Sequence, residues 1–365
     1  MNPQLSRLAH QTRRTFFKNT GQFSLGSIAL ASMLGQRPLL GADARPIANP
    51  LAPKPTHFPA KAKNIIFLFM AGGPSQLELF DYKPKLNELN GQPIPQSFIE
   101  GKRFAFMDSS HGVKLLGTRR KFARHGQSGA WVSDLFPHTA GIVDDISIVK
   151  SCQATLFNHA PAKLFMNTGS GQFGRPSMGS WINYGLGSEC QDLPGFVVFK
   201  TGETIRPPAI GTGFLPAQYQ GVLVDSEKGI PNLALPPGFT RENRESQLRL
   251  LDLLNREHLA RSGKKDDGFR PSALSQRPDE YDSQLEARIK SYELAFRMQT
   301  KAPAIFDLSQ ETPETQSLYG IDQKETAEYG RICLLTRRLV ERGVRFIQIR
   351  SGGWDSHSDI VGEHT

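Results

Sequence analysis

Residues 64–75 read NIIFLFMAGGPS, and their pattern is the first indication of the fold class. The apolar run over residues 64–70 is typical of a parallel strand buried on both faces of a sheet. Ala71-Gly72-Gly73-Pro74 then ends the run, because glycine and proline interrupt regular structure. We therefore predict a first core strand here, with a loop at its carboxyl end.

Two more strands and one helix are predicted further along the chain. Residues 145–149 (DISIV) form the second candidate strand and residues 344–349 (VRFIQI) the third. A helix precedes the third strand and ends near Gly343. Its apolar positions repeat every three or four residues: Tyr329, Ile332, Cys333, Thr336, Leu339 and Val340. This helix-strand order predicts an α/β fold, a mostly parallel sheet with helices on both faces.

Residues 230–320 have a different pattern, which predicts a helical insertion. Arg241–Arg261 and Asp279–Met298 are amphipathic, and the polar residues 262–278 link them. We interpret the pair as a cap that packs on the sheet. A coiled interaction arm is the alternative, but the apolar stripes are short for one.

The N-terminus has the features of an export signal. Arg13-Arg14 precede a weakly apolar run, and Ala42-Asp43-Ala44 offers a cleavage site. We predict a Tat signal peptide over residues 1–44, a proline-rich linker over 45–62 and one domain over 63–365. The apolar run is too short and polar to cross a bilayer, so no stable membrane span is expected after cleavage. The predicted location is periplasmic or extracellular, and the Tat machinery is a partner.

Composition narrows the classes of partner. The chain has 44 basic and 35 acidic residues, but five of the basic and one of the acidic residues lie in the predicted signal. The mature protein is therefore only mildly basic, and nucleic acid is not an expected partner. Three scattered cysteines do not indicate a disulfide framework or a zinc cluster. No dinucleotide fingerprint follows Gly72-Gly73, which argues against a dehydrogenase.

Residues 354–359, WDSHSD, follow the third predicted strand. Carboxylate and imidazole groups are common ligands of divalent metals, so Asp355 and His357 are candidate metal ligands. A polar turn is the alternative interpretation. Open α/β sheets bind ligands at the carboxyl ends of their strands, and this position favours the metal site.

A second candidate segment begins at His159. The string His159-Ala160-Pro161-Ala162-Lys163, followed by Thr168-Gly169, resembles in spacing the signature of sulfatases. In that signature the segment starts a helix whose amide groups hold an anionic oxygen. We expect His159 to start a helix and to face the same cleft as Asp355.

Several blocks in order make the chain similar to the family called domain of unknown function 1501. They are residues 67–76, 80–84, 158–161, 176–181, 192–195 and 352–357. The resemblance implies a sulfatase-like branch of the alkaline phosphatase superfamily, a fold that would be incomplete at the C-terminus here. It also implies a divalent metal such as zinc or calcium at Asp355 and His357, and hydrolysis of sulfate or phosphate esters. The implied partner is an anionic ester, either a small molecule or a sulfated polysaccharide.

The sequence also departs from the sulfatase pattern. Ala71-Gly72-Gly73 stand where metal-binding aspartates are expected, and His159 stands where the nucleophilic Cys or Ser belongs. His159 is then a candidate metal ligand, nucleophile or general acid, or a structural imidazole, and Lys163 a candidate catalytic cation. Ser75 is a second-choice nucleophile or simply a turn residue. Two functions follow: a metal-dependent hydrolase, or an exported binding domain that keeps the fold without catalysis.

Overall fold

The computed structural model describes residues 51–56, 58–101, 112–202, 207–231, 238, 240–262, 293–299 and 302–356. These residues belong to one compact unit, residues 50–365. The predicted signal peptide and the start of the predicted linker, together residues 1–50, lie outside the described residues, as do His357 and the rest of the C-terminal segment.

The strands and helices alternate along the chain in the manner of an α/β protein. The strands are β1 Ile65–Met70, β2 Phe122–His125, β3 Ala130–Ser133, β4 Phe196–Thr201, β5 Val222–Val224 and β6 Phe346–Ser351. The α-helices are α1 Pro84–Glu88, α2 Gln96–Ile99, α3 Pro137–Ala140, α4 His159–Thr168, α5 Met178–Leu186, α6 Arg241–Ser262, α7 Pro313–Leu318 and α8 Ala327–Glu341. Residues 293–299 and 302–306 are also helical. Short 3-10 helices span Gln76–Glu78, Val143–Asp145, Pro207–Ala209, Ala217–Tyr219 and Leu308–Gln310.

The main sheet has four parallel strands in the order β1-β6-β4-β5. β2 and β3 form a separate antiparallel pair. The expected α/β class with a mostly parallel sheet is therefore confirmed. β6 lies in the interior of the sheet, and α8, which leads into it, begins and ends close to the predicted residues, with Gly343 at a φ of +84°.

The two faces of the sheet have separate cores. On one face Val197 and Phe199 of β4 and Ile347 and Ile349 of β6 pack against α8. The alternate residues point to the other face, because successive side chains of a strand alternate between faces. There the apolar cluster consists of Phe196, Val198, Ile210 and Phe346, with Phe67 and Ile182 packed against it. Helices α4 and α5 lie on this second side, since Ile182 belongs to α5 and Asn167 of α4 contacts Gln348.

Two sequence predictions about strands are wrong. Residues 145–149 do not form a strand: a 3-10 helix ends at Asp145, and Val149 is 67% exposed. The positions on both sides of β6 are taken by β1 and β4. β1 is a strand but is not buried on both faces: Ile66 and Leu68, whose register places them on the α8 side of the sheet, are 47% and 54% exposed.

The helical insertion is found in part. α6 coincides with the predicted helix over residues 241–261, but Leu251 and Leu254 of its apolar stripe are 42% and 49% exposed. The described part of α6 therefore does not bury that stripe. Of the second predicted helix, 279–298, only residues 293–298 are described, and they are helical. Among the described helices, none is both long and apolar enough to cross a bilayer.

Candidate functional site

The candidate site lies where three parallel strands end at the same level. The register pairs Ser351 of β6 with Met70 of β1 on one side and with Thr201 of β4 on the other. The pairing continues one residue further, because Ala71 N–H donates to the Ser351 carbonyl at 2.7 Å and Gly352 N–H donates to the Thr201 carbonyl at 2.8 Å. The three following loops therefore start side by side at the carboxyl edge of the sheet.

The loop after β6 is held against the loop after β1. Trp354 N–H donates to the Ala71 carbonyl at 3.4 Å, and the Trp354 indole donates to Ser351 Oγ at 3.3 Å. Gly72 has a φ of +110°, and a Cβ added there would lie 2.6 Å from the backbone nitrogen of Asp355. A side chain at position 72 does not fit, so the glycine allows the close approach that places Asp355.

His159 starts α4, as the sequence predicts. Asn158 precedes it, and the Asn158 side chain accepts a hydrogen bond from Ala160 N–H at 3.2 Å, which caps the helix. Pro161 lies in the first turn, where backbone N–H groups have no partner within the helix, so a residue without an N–H is tolerated there. At the other end, Gly169 adopts a φ of +73° and terminates the helix.

This helix start brings His159 to Asp355. The His159 Nε2 and Asp355 Oδ2 atoms are 3.0 Å apart, and the two side chains are 48% and 46% exposed. The two residues are nearly 200 positions apart in the chain, so only the fold joins them. The expected shared cleft is therefore observed, while the chemical roles assigned to its residues stay predictions.

A cleft of about 740 Å³ surrounds this pair. Lys163, one helical turn after His159, lines it together with Arg350. The other lining residues are small or apolar: Ala71, Gly72, Ala160, Pro161, Leu164, Gly171, Phe173, Gly202, Pro208, Ala209, Gly352 and Gly353. The cleft thus combines two cationic side chains, one imidazole and one carboxylate with an otherwise mostly apolar wall.

Arg350 is the member that the sequence interpretation missed. It is the fifth residue of β6 and only 1% exposed, and its guanidinium carbon lies 4.7 Å from the centre of the Phe69 ring. Arg350 Nη1 donates to Asn167 Oδ1 at 3.3 Å. The sequence does contain a signal for Arg350, because it is a cation at an inward-facing position near the end of an apolar strand. Arginine is rarely buried, so a functional reason could have been suspected.

Ser75, the second-choice nucleophile, does not line the cleft. Its Oγ accepts a hydrogen bond from Leu77 N–H at 3.3 Å and caps the 3-10 helix Gln76–Glu78. The exposed side chain therefore has a local structural task, which agrees with the turn interpretation.

The predicted metal site is only partly described. His159 and Asp355 supply two donor atoms 3.0 Å apart. Two ligands that share a tetrahedral zinc ion at about 2.0–2.1 Å lie about 3.3 Å from each other. The two donor atoms would therefore have to move apart by only a few tenths of an ångström to bind such an ion. Within the described ranges, no group of three or more His, Cys, Asp or Glu residues could hold a metal. His357, the other predicted ligand, lies outside the described residues.

The fold and the cleft define an α/β protein with a polar site at the carboxyl edge of a parallel sheet. A family model described as a protein of unknown function, DUF1501, matches residues 62–278 and 272–365. The chain belongs to this family, as the sequence blocks indicated. No curated protein and no solved structure matches the chain.

Proposed function

We propose that this protein is an exported hydrolase of sulfate or phosphate esters and that the cleft around His159 and Asp355 is its active site. One observation carries the proposal: an imidazole and a carboxylate lie 3.0 Å apart in a cleft that is also lined by Lys163 and Arg350. Cations suit an anionic ester, and an imidazole held by a carboxylate suits proton transfer. The proposed relation to sulfatases and alkaline phosphatases rests on the resemblance of the His159 segment and of the loop after β6.

The proposed chemistry is hydrolysis with proton transfer through His159. A bond forms between a water oxygen and the sulfur or phosphorus atom, and the bond to the leaving oxygen breaks. The Asp355 carboxylate orients the imidazole, which accepts a proton from the water or donates one to the leaving oxygen. Lys163 and the N-terminus of α4 favour the negative charge of the ester group.

A divalent metal is part of the proposal. When bound, such an ion supplies Lewis acidity and lowers the pKa of a bound water. Among the described residues Asp355 would hold it, and His357 is the expected additional ligand, while His159 keeps its proton-transfer role. Their donor types fit zinc, whose catalytic sites usually take three protein ligands.

The test uses the complete protein purified from its exported location. Aryl sulfates and aryl phosphates are assayed with and without added zinc and calcium, and bound metal is measured by elemental analysis. We expect hydrolysis that falls about 10²- to 10⁴-fold in His159→Asn, the range for loss of a general acid or base. His138→Asn is the matched control, because His138 is an exposed histidine that does not line the cleft. Equal activity of the two variants would contradict the assignment.

A second candidate function is an exported oxyanion-binding domain without catalysis. The observation that favours it is the end of β1, where Ala71 and Gly72 offer no ligand and the loop at Asp355 leaves no room for a side chain at position 72. A protein of this kind would bind sulfate or a sulfated saccharide but hydrolyse no ester. Binding without turnover by the metal-loaded complete protein would select this candidate.

A further inference from the structure

Arg350 is unusual among the described cations because it is almost fully buried and yet borders the cleft. It is 1% exposed, and Phe346 and Gln348, which share its face of β6, are uncharged. An arginine keeps its positive charge at all ordinary pH values, so Arg350 brings a permanent positive charge to the wall of the cleft. A guanidinium at that position suits an anionic ligand.

Asn167 holds the guanidinium in place. Asn167 Oδ1 accepts from Gln348 Nε2 at 2.6 Å and from Arg350 Nη1 at 3.3 Å. The Asn167 amide in turn donates to the Lys163 carbonyl at 2.7 Å. One buried side chain therefore links the Arg350 guanidinium to the turn of α4 that carries Lys163.

We propose that Arg350 binds the sulfate or phosphate group of the ligand at this cleft and that Asn167 is its positioning residue. The choice of oxyanion rests on the proposed function, whereas the binding role rests on the location of Arg350. A guanidinium presents N–H donors in a planar fork that matches two oxygens of a tetrahedral oxyanion. Lys163 contributes a second positive charge from the helix side of the same cleft.

Arg350 could instead have a purely structural role, and measurements of sulfate binding distinguish this role from oxyanion binding. Affinity for inorganic sulfate is measured by calorimetry at constant ionic strength, with chloride as the reference anion. We expect Arg350→Met to weaken sulfate binding by about tenfold or more, since hydrogen bonds to charged groups contribute roughly that factor. Arg350→Lys should keep part of the affinity because it retains the charge and loses the fork. Arg119→Met, a change at an exposed arginine outside the cleft, should leave the affinity unchanged.

Asn167→Asp provides the sharpest comparison. The substitution keeps an oxygen for Arg350 and Gln348, adds a negative charge beside the guanidinium, and removes the amide that donates to the Lys163 carbonyl. If Arg350 binds the oxyanion, this internal charge competes with sulfate, and the affinity falls although the guanidinium keeps its partner. If Arg350 only supports the fold, Asn167→Asp changes the unfolding temperature and leaves sulfate affinity as in the wild type, which would overturn the proposal.

A measurement on the unaltered protein covers the case in which the Arg350 variants do not fold. Crystals of the wild-type protein are soaked with tungstate, a heavy tetrahedral oxyanion. Tungstate within hydrogen-bond distance of the Arg350 guanidinium supports the proposal, and tungstate bound elsewhere or nowhere overturns it. These assays need no turnover: Arg350-dependent sulfate binding without ester hydrolysis would refute the hydrolase and retain the oxyanion site. Hydrolysis that sulfate inhibits equally in wild type and Arg350→Lys would retain the hydrolase and refute the oxyanion-binding role of Arg350.

Discussion

Gly72→Ala tests whether the contact between the loops after β1 and β6 places the candidate site. Gly72 has a φ of +110°, and an added Cβ would lie 2.6 Å from the Asp355 nitrogen and 2.7 Å from the Trp354 carbonyl carbon. Both neighbours are backbone atoms, so no flexible side chain can move aside. The loop that carries Asp355 must shift, or the end of β1 must shift instead.

The neighbouring glycine provides the control. Gly73 also has a positive φ, +76°, but an added Cβ there has no atom within 4 Å. Gly73→Ala should therefore cost only the backbone strain, about 1–2 kcal/mol. Gly72→Ala combines about 1–3 kcal/mol of strain at an unfavourable φ with about 1–3 kcal/mol of overpacking, so we expect a loss of about 2–6 kcal/mol.

Denaturant unfolding of wild type and both variants measures the free energies. Sulfate affinity and the rate of ester hydrolysis show whether the candidate site is disturbed. A displacement of Asp355 by about 1 Å would lower the rate by about 100-fold, whereas Gly73→Ala should leave the rate near that of the wild type. If the two variants lose the same stability and keep the same activity, the loop contact has no role in placing Asp355.

Three further predictions concern other parts of the molecule. The backbone N–H groups of Ser128 and Gln127 donate to the Asp144 carboxylate and hold the pKa of Asp144 below its usual value. A carboxylate whose pKa is lowered by folding stabilises the folded protein at pH values above its unfolded-state pKa. This contribution is lost as the pH falls through the folded-state pKa. Asp144→Asn should thus have a lower unfolding temperature than the wild type at neutral pH, and this difference should disappear in acid. A difference that does not depend on pH would contradict this prediction. Leu68 is 54% exposed on β1, an edge strand of the described sheet, so Leu68→Lys should make the protein less prone to concentration-dependent association in light scattering, and an unchanged tendency would show that this edge is not involved. Replacement of both Arg13 and Arg14 by lysine should retain the protein in the cytoplasm in a fractionation assay, and normal export would exclude the Tat route.

The sequence predicted those elements whose pattern is local. α8 repeats its apolar residues with helical spacing and ends at a glycine, and it is found where expected. The start of α4 carries its own signals, a capping asparagine and a proline in the first turn. β6 is also found, shifted by two residues. Each of these elements is determined by residues within one segment of the chain.

Strand neighbours are not local, and there the sequence predictions were less successful. Residues 64–70 are as apolar as an interior strand, but composition does not state whether a partner lies on one side or on both. β4 carries the apolar run Phe196–Phe199 and occupies the place beside β6 that residues 145–149 do not. Exposure of Leu68 depends on which segments cover its face of the sheet, and exclusion of residues 145–149 depends on which segments pair; both are properties of the whole fold.

The location of the site follows from parallel pairing, while its charge arrangement does not. Level strand ends bring Ala71, Gly202 and Gly352 to one edge, and small residues there leave space for a cleft. Within that cleft the permanent charge of Arg350 is 1% exposed, whereas His159 is 48% exposed. Under the proposed function, an ester whose oxyanion contacts Arg350 lies in the same cleft as the more exposed imidazole. We therefore propose His159, the one histidine that lines this cleft among the described residues, as the group that protonates the leaving oxygen.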